Sequence, residues 1–318
     1  MTDGRASLPD ALLDRTVIAS YANLGFALRS PRWDESDLAA MDGKVVLVTG
    51  ATSGLGEAAA SGFARLGASV WLVARSRERG EDSRARIAER TGSDDVHVGI
   101  CDLSDLRSVR RFAEQCEAGP GRLDVLVNNA GVLTEERSLS RDGIELTLAT
   151  NVVGPFLLTK LLVPLALRSV PARVINVSSG GMYTQGLHVD DVQSARGKFR
   201  GTAAYARTKR MQVVLSELWA SRLQGTGVVV NAMHPGWVDT PGLRDSLPRF
   251  HRVLRRLLRT PEQGADTIVW LGSAPQAAQI SGAFWFDRAR RPTHLLPWGG
   301  EAEQDRRRLW TEIERLSG

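Results

Sequence analysis

A tyrosine and a lysine four residues apart are the clearest candidates for acid–base chemistry. Tyr205 and Lys209 occur in the segment YARTK. In a helix, side chains at positions i and i+4 share a face, with Cβ atoms about 5–6 Å apart. A free tyrosine has a pKa of about 10 and is rarely ionised at neutral pH, but a nearby cation favours the ionised form. The spacing therefore predicts a proton donor or acceptor, with Lys209 lowering the pKa of Tyr205.

Further polar groups follow short β-branched runs, where strands are predicted to end. Ser178 and Ser179 follow VINV, Asn129 follows LDVLVN, and the segment 234–240 (HPGWVDT) follows VVVNAM. Asn151 lies in the helical segment between two of these runs. Open α/β sheets bind ligands at the carboxyl ends of their strands. We therefore expect these groups to meet in one site.

A glycine-rich turn separates the first predicted strand from a helix. The segment TGATSGLG has glycines at positions that allow a tight turn and a close approach to a phosphate. The amide groups of a helix N-terminus favour an anion there. The alternative is a turn that binds no ligand, since the spacing differs from G-x-G-x-x-G. The predicted phosphate-binding residues are Gly50, Thr52, Ser53, Gly54, Leu55 and Gly56.

The end of the second predicted strand indicates which nicotinamide cofactor binds. NAD enzymes usually carry an acidic residue about 20 positions after the glycines. This chain has Ala74 followed by Arg75, and a guanidinium matches a 2′-phosphate. We therefore expect NADP(H) rather than NAD(H), the alternative being that Arg75 is an ordinary surface residue. Asp102, after the third strand, is predicted to accept from the adenine amino group.

The elements that must position these residues alternate between short strands and longer amphipathic segments. Near-continuous apolar strands joined by helices indicate a parallel sheet covered on both faces. The sequence predicts one α/β doubly wound Rossmann-type domain over 43–290, with a mostly parallel seven-stranded sheet. The predicted strands begin near Val45, Val70, Val96, Leu123, Arg173, Val228 and Ala283.

Two appendages flank this domain. Residues 1–42 are predicted to form a helical extension packed on the outside of the domain. Its apolar stripe would be Leu12, Val17, Tyr21, Leu24 and Leu28. Residues 291–318 are predicted to be a tail with a short helix that docks on the domain or on a second subunit.

Two insertions are expected near the entrance to the site. Residues 241–262 are predicted to form a lid with an apolar face and a basic rim, which would suit a lipophilic carbonyl or alcohol. The alternative is a helix that closes the core of the domain. Residues 183–202 are predicted to form a loop beside the site.

Composition and charge exclude several classes of protein. The chain has 318 residues, 42% of them hydrophobic and 24% charged, as in soluble globular proteins. Its net charge of +5 is dispersed, so no nucleic-acid partner is expected. The apolar run 156–167 contains Lys160 and Pro164, so no integral membrane span is expected. Two cysteines without metal-ligand spacing and a polar N-terminus predict a cytoplasmic protein without a metal site.

The motifs together resemble the short-chain dehydrogenase/reductase family over about 43–290. They include T-G-x-x-x-G-x-G, N-N-A-G, the Asn–Ser–Tyr–Lys set and P-G-x-x-x-T. The resemblance implies that Tyr205 is the general acid/base and that Lys209 lowers its pKa and holds the nicotinamide ribose. It implies that Ser179, rather than Ser178, polarises the carbonyl and that Asn151 supports a water relay. The gap of 26 positions between Ser179 and Tyr205 is about twice that of many members, which leaves the substrate wall unassigned.

The resemblance also implies further cofactor contacts and an activity. Besides Tyr205, Lys209 and the residues named above, the expected contacts are Leu103, Asn129, Ala130, Gly131, Pro235, Gly236, Val238 and Thr240. The implied activity is NADP(H)-dependent interconversion of a small-molecule carbonyl and alcohol, in a chain that could form a homo-oligomer. The alternative is a non-catalytic NADP(H)-binding sensor or scaffold on the same fold.

Overall fold

The computed structural model describes residue 10, residues 13–14, residues 16–294 and residues 300–318. The predicted stripe residue Leu12 lies outside the described residues. The strands are β1 (Val45–Thr49), β2 (Ser69–Ala74), β3 (Val96–Ile100), β4 (Val125–Asn128), β5 (Ala172–Val177), β6 (Val228–Met233), β7 (Phe284–Phe286) and β8 (Ala289–Arg291). The helices are α1 (Val17–Tyr21), α2 (Asn23–Arg29), α3 (Gly54–Arg65), α4 (Arg77–Thr91), α5 (Leu106–Ala118), α6 (Leu146–Leu167), α7 (Gly201–Arg222), α8 (Pro241–Ser246), α9 (Pro248–Leu254), α10 (Pro261–Ser273) and α11 (Glu303–Ser317).

One sheet organises these elements, in the strand order β3-β2-β1-β4-β5-β6-β7-β8. The pairs from β3 through β7 are parallel, and only β8 is antiparallel to its neighbour. Chain order reverses between β1 and β4, which opens a crevice at the carboxyl edge of the sheet. The predicted doubly wound α/β fold is therefore confirmed.

The eighth strand is a difference from the seven predicted. β7 and β8 are joined by Asp287 and Arg288, whose φ angles are 50° and 55°. Two positive φ angles are typical of a tight hairpin turn, which Asn-Gly or Asp-Gly pairs usually announce. The Asp-Arg pair carries no such signal, so the hairpin could not be read from the sequence.

Helices cover both faces of the sheet. One apolar cluster contains residues of α5, α6, α7 and α11, and a second contains residues of α3, α4 and α10. Capping defines several ends: the Asp105 carboxylate accepts from two amides at the start of α5, and α10 begins with a capping box at Thr260 and Gln263. The two layers hold the sheet rigidly beneath its carboxyl edge.

Helix α6 lies at the centre of the first layer. It is long and apolar enough to cross a membrane by length and composition, and 78% of its most apolar stretch is buried inside the fold. Burial of that kind is the environment of a core helix. Residues 149–153 form a π-helical turn that carries Asn151.

The N-terminal helices pack differently from the prediction. The chain kinks at Ala22, which is extended, so two short helices replace one. Val17, Leu24 and Leu28 are each about half exposed, at 50–51%. These three members of the predicted stripe therefore do not pack on the domain. Tyr21, the other described member of the stripe, does contact the domain, together with Ala22 and Arg29, as described below.

Candidate active site

The glycine-rich turn after β1 forms a cradle open to a ligand. Gly50 and Gly54 have φ angles of 66° and 54°, a region that disfavours side chains. A Cβ atom on Gly56 would lie 2.4 Å from the Gly50 carbonyl oxygen, so only glycine permits this close approach. The turn leads directly into α3, whose N-terminus faces the same space. These features fit a pyrophosphate group.

Asn129 joins this turn to the turn after β4. Its side-chain amide donates to the carbonyl oxygens of Thr49 and Gly50, at 2.8 and 3.3 Å. In return, the Thr49 hydroxyl accepts from the backbone amides of Asn129 and Ala130. The predicted residues Asn129 and Ala130 thus lie against the predicted phosphate turn.

The adenosine end of the crevice contains the predicted discriminating residues. Arg75 follows β2 and is exposed, while Leu103 is buried. The Asp102 carboxylate accepts from the backbone and hydroxyl of Ser104, at 2.9 and 2.8 Å. Asp102 therefore also stabilises its own turn, a role that the sequence did not indicate.

The segment after β6 closes the other side of the crevice. A Cβ atom on Gly54 would lie 3.1 Å from the Thr240 side chain. Val238 is buried and packs beside Gly264, close to Leu55. Of the predicted residues of this segment, Thr240 and Val238 therefore adjoin the phosphate turn, whereas Pro235 and Gly236 lie against Arg259.

The predicted catalytic residues meet at the ends of β5 and α7. The Ser179 side chain lies close enough to the Tyr205 hydroxyl to lower its pKa. The Lys209 nitrogen lies 5.3 Å from the centre of the Tyr205 ring and donates to the Val177 carbonyl oxygen at 2.8 Å. Ser178 is turned away, since its hydroxyl donates to the Lys209 carbonyl oxygen at 2.8 Å. This geometry separates the two serines that the sequence left as candidates.

Burial dominates the electrostatics of this group. It raises the pKa of Tyr205 to about 12, against a smaller lowering effect of the neighbouring Ser179 side chain. It lowers the pKa of Lys209 to about 7. The expectation that Lys209 brings the pKa of Tyr205 below its usual value is therefore wrong for this structure. A lysine with such a pKa is only partly charged at neutral pH, and desolvation outweighs its attraction for a phenolate.

Asn151 is fully buried, and its side chain makes three hydrogen bonds. Its side chain bonds to the Val132 backbone amide and carbonyl oxygen at 2.8 and 3.0 Å and donates to the Thr208 hydroxyl at 3.0 Å. A Cβ atom on Gly131 would lie 3.4 Å from both the Asn151 amide oxygen and the Lys209 nitrogen. Gly131 thus connects the predicted cofactor crevice to the catalytic group.

Gln212 is a residue that the sequence analysis missed. Its side-chain oxygen accepts from the Lys209 nitrogen at 3.1 Å, and its amide donates to the Asn151 carbonyl oxygen at 2.8 Å. It therefore links the lysine directly to the main chain of Asn151. The signal was its position three residues after Lys209, on the same face of α7.

The predicted lid is tied to the site by Asp239. Its carboxylate binds Arg244 of α8 at 2.8 Å and His251 of α9 at 3.1 Å. Phe250 packs edge-on against Trp237 at 5.3 Å between ring centres. Leu258 is buried, so the end of the segment also closes the core. The lid over the site stays a prediction for the rest of residues 241–262.

Comparisons with known proteins identify relatives over most of the chain. A family model described as short chain dehydrogenase matches residues 44–249. The chain is 44% identical over 280 residues to Dehydrogenase/reductase SDR family member 12 of Bos taurus, covering 87% of each chain. It is 35% identical over 298 residues to Retinol dehydrogenase 14 of Homo sapiens, again covering 87% of each.

Solved structures show the same architecture. A Pseudomonas aeruginosa RhlG/NADP active-site complex is 28% identical, with a TM-score of 0.64 over 77% of this chain and 94% of that one. The 3-ketoacyl-(acyl-carrier-protein) reductase of Brucella melitensis complexed with NADH is 27% identical, with a TM-score of 0.60 over 77% and 96%. One of these neighbours holds NADP and the other NADH.

Proposed function

Because the chain belongs to the short-chain dehydrogenase/reductase family, whose members here are named dehydrogenases and reductases, we propose that it interconverts a carbonyl and an alcohol with NADP(H). Tyr205 is the general acid/base in this proposal. The observation that carries it is the grouping of three side chains at the carboxyl edge of the sheet: Tyr205 lies beside Ser179, and the Lys209 nitrogen lies 5.3 Å from the centre of the Tyr205 ring.

The residues present fit a nicotinamide dinucleotide. The glycine cradle and the start of α3 would hold the pyrophosphate, and Gly131 and Lys209 would face the nicotinamide ribose. When bound, the cofactor supplies or accepts a hydride, which is chemistry that protein side chains do not offer. The protein's part is to orient the carbonyl and to move one proton.

The proposed proton step assigns a role to each of these side chains. In reduction, Ser179 donates a hydrogen bond to the carbonyl oxygen, and Tyr205 donates its proton as the oxygen becomes an alkoxide. A pKa of about 12 keeps Tyr205 protonated at neutral pH, so it is ready as a donor. Lys209 stabilises the phenolate that remains, while Gln212 and Asn151 hold the lysine in place.

The preference for NADP(H) rests on Arg75. Arg75 is exposed at the end of β2, where the 2′-phosphate of NADP(H) would lie. The chain has no acidic residue at this point that would repel the phosphate. The solved neighbour with NADP supports the proposal, whereas the neighbour with NADH shows that the fold accommodates either cofactor.

The proposed substrate is a lipophilic carbonyl or alcohol. Trp237 and Phe250 place aromatic surface beside the site. One relative is named a retinol dehydrogenase, which supports an apolar alcohol or its carbonyl product. A kinetic preference for small hydrophilic sugars would contradict this part of the proposal.

A screen of NADPH oxidation tests the proposed function. The wild-type protein is expected to reduce at least one member of a panel of ketones, aldehydes and steroids. Tyr205→Phe should lower kcat by about 100-fold or more, because it removes the proton donor, while the Kd for NADPH changes less than about twofold. If NADPH binds tightly and no carbonyl in the panel is reduced, the protein is a cofactor-binding sensor or scaffold.

A further inference from the structure

The N-terminal helices are anchored in the domain by a buried ionic network. Asp287, in the β7–β8 turn, binds Arg29 at 2.7 Å and Arg259 at 2.5 and 2.8 Å. Both arginines also donate to the Ser20 carbonyl oxygen, at 3.3 and 2.9 Å. Arg29, Arg259 and Asp287 are all buried. Breaking any of these ion pairs would leave an uncompensated buried charge, which is energetically costly. The network therefore holds the N-terminal helices against the domain.

This anchoring places the Tyr21 ring against the segment that follows β6 and against strand β7. The Tyr21 ring lies 4.6 Å from the His234 ring, 5.3 Å from Phe286 and 6.0 Å from Trp237, measured between centres. Its carbonyl oxygen accepts from the Trp237 backbone amide at 2.9 Å. Gly236, with a φ of 78°, allows the chain to pass this close, since a Cβ there would lie 2.7 Å from the same oxygen.

The Tyr21 ring also lies against the turn that carries Ser179. A Cβ atom on Gly180 would lie 2.4 Å from Cε2 of Tyr21 and 3.0 Å from Cζ. The ring therefore occupies the volume that a side chain at Gly180 would need. The turn itself is closed by two hydrogen bonds: the Gly181 amide donates to the Ser179 hydroxyl at 3.1 Å, and the Met182 amide donates to the Ser179 carbonyl oxygen at 3.0 Å.

We propose that Tyr21 is a positioning residue of the active site, whose ring holds the Ser179–Gly180 turn and so sets the Ser179 hydroxyl opposite Tyr205. The inference rests on the proposed function for its catalytic consequence. Its structural content stands separately, because the contact joins the N-terminal segment to the turn whether or not a carbonyl is reduced. The N-terminal extension is thus a component of the site.

Hydrogen exchange tests the structural content without any substrate. In Tyr21→Ala, the backbone amides of Gly181 and Met182 should exchange about tenfold faster or more, because the turn loses the ring that confines it. Tyr21→Phe keeps the ring and should exchange like the wild type. Leu24→Ala, on an exposed position of the same segment, is the matched control. If Tyr21→Ala does not fold, Tyr21→Leu serves as the partial truncation.

A double-mutant cycle tests the contact itself. Gly180→Ala should disturb the turn in the wild-type background, because the new methyl group meets the Tyr21 ring. In the Tyr21→Ala background the methyl group has room, so the second substitution should add little further effect on exchange. If the two substitutions instead change the exchange rates by independent factors that multiply in the double variant, the proposal is overturned. Unchanged exchange in a folded Tyr21→Ala or Tyr21→Leu would also overturn it.

Turnover then separates this inference from the proposed function. For any carbonyl that the wild type reduces, Tyr21→Ala should lower kcat by about 10- to 100-fold, with the Kd for NADPH unchanged and Tyr21→Phe active. A wild type that reduces no carbonyl overturns the proposed function alone. Full kcat in a folded Tyr21→Ala overturns the positioning role alone.

Discussion

At the scale of single residues, the site depends on what burial does to two ionisable groups. It leaves Tyr205 with a pKa of about 12 and Lys209 with one of about 7. The tyrosine is therefore protonated throughout the physiological range, and the lysine is the group that changes charge there. In reduction, we expect activity to decline as the pH rises through about 7, because Lys209 loses the charge that stabilises the phenolate.

Gln212 offers a way to test this assignment. Gln212→Glu would place a carboxylate about 3 Å from the Lys209 nitrogen, which should raise the lysine pKa by about one unit or more. The alkaline limb of the pH profile of kcat should then move to higher pH. Gln212→Leu is the matched control and should lower kcat without moving that limb upward. A limb that stays at the same pH in Gln212→Glu would show that Lys209 does not set it.

Arg75 carries the prediction about the cofactor. Arg75→Ala should weaken NADPH binding by about tenfold or more, since a charge-assisted pair with a phosphate is lost, and leave NADH binding within about twofold. Arg77→Ala, two positions further and also exposed, is the control and should change neither Kd. Equal Kd values for NADPH and NADH in the wild type would refute the preference.

Residue types and order were readable from the sequence, whereas side-chain environments were not. The strand-end positions of Ser179 and Asn129 and the helical position of Asn151 follow from short-range patterns. The raised pKa of Tyr205 and the bridge through Gln212 depend on desolvation and on packing between α6 and α7, which no local pattern encodes. Lys209 at i+4 marks proximity to Tyr205, but not whether the lysine stays charged.

At the scale of elements, the two terminal segments are parts of the domain. Helix α11 docks on α6 and α7 through Trp310, whose ring lies 4.9 Å from both Phe156 and Trp219. The tail was predicted to dock either on its own domain or on a second subunit, and these contacts show that it docks on its own domain. Helices α1 and α2 pack through the buried Arg29 and through Tyr21, so the predicted apolar stripe is confirmed at Tyr21 and wrong at Val17, Leu24 and Leu28, which stay about half exposed.

Trp310→Ala should therefore lower the free energy of unfolding by about 3–5 kcal/mol, the usual cost of deleting a large buried aromatic side chain. Leu167→Ala removes a residue that is 43% exposed and should change it by less than about 0.5 kcal/mol. Denaturant unfolding of both variants measures the difference. A loss for Trp310→Ala no larger than that of Leu167→Ala would mean that α11 is not an integral part of the fold.

At the scale of the whole molecule, elements distant in sequence converge on one edge of the sheet. The glycine cradle comes from β1 and α3, the proposed proton donor Tyr205 from α7, Ser179 from the end of β5, and the Tyr21 ring against its turn from the N-terminal segment. Two helical layers keep these strand ends in register, so a small-molecule carbonyl and a nicotinamide ring would meet at a preformed place.

Tracing a deuterium label tests the central claim most directly. NADPH with deuterium at both C4 positions of the nicotinamide, mixed with a reducible carbonyl, is predicted to deliver one deuterium to the carbonyl carbon of the product alcohol. Tyr205→Phe is predicted to bind the labelled cofactor normally and to transfer deuterium at least about 100-fold more slowly. Product free of deuterium, or equal transfer rates in wild type and Tyr205→Phe, would contradict the account.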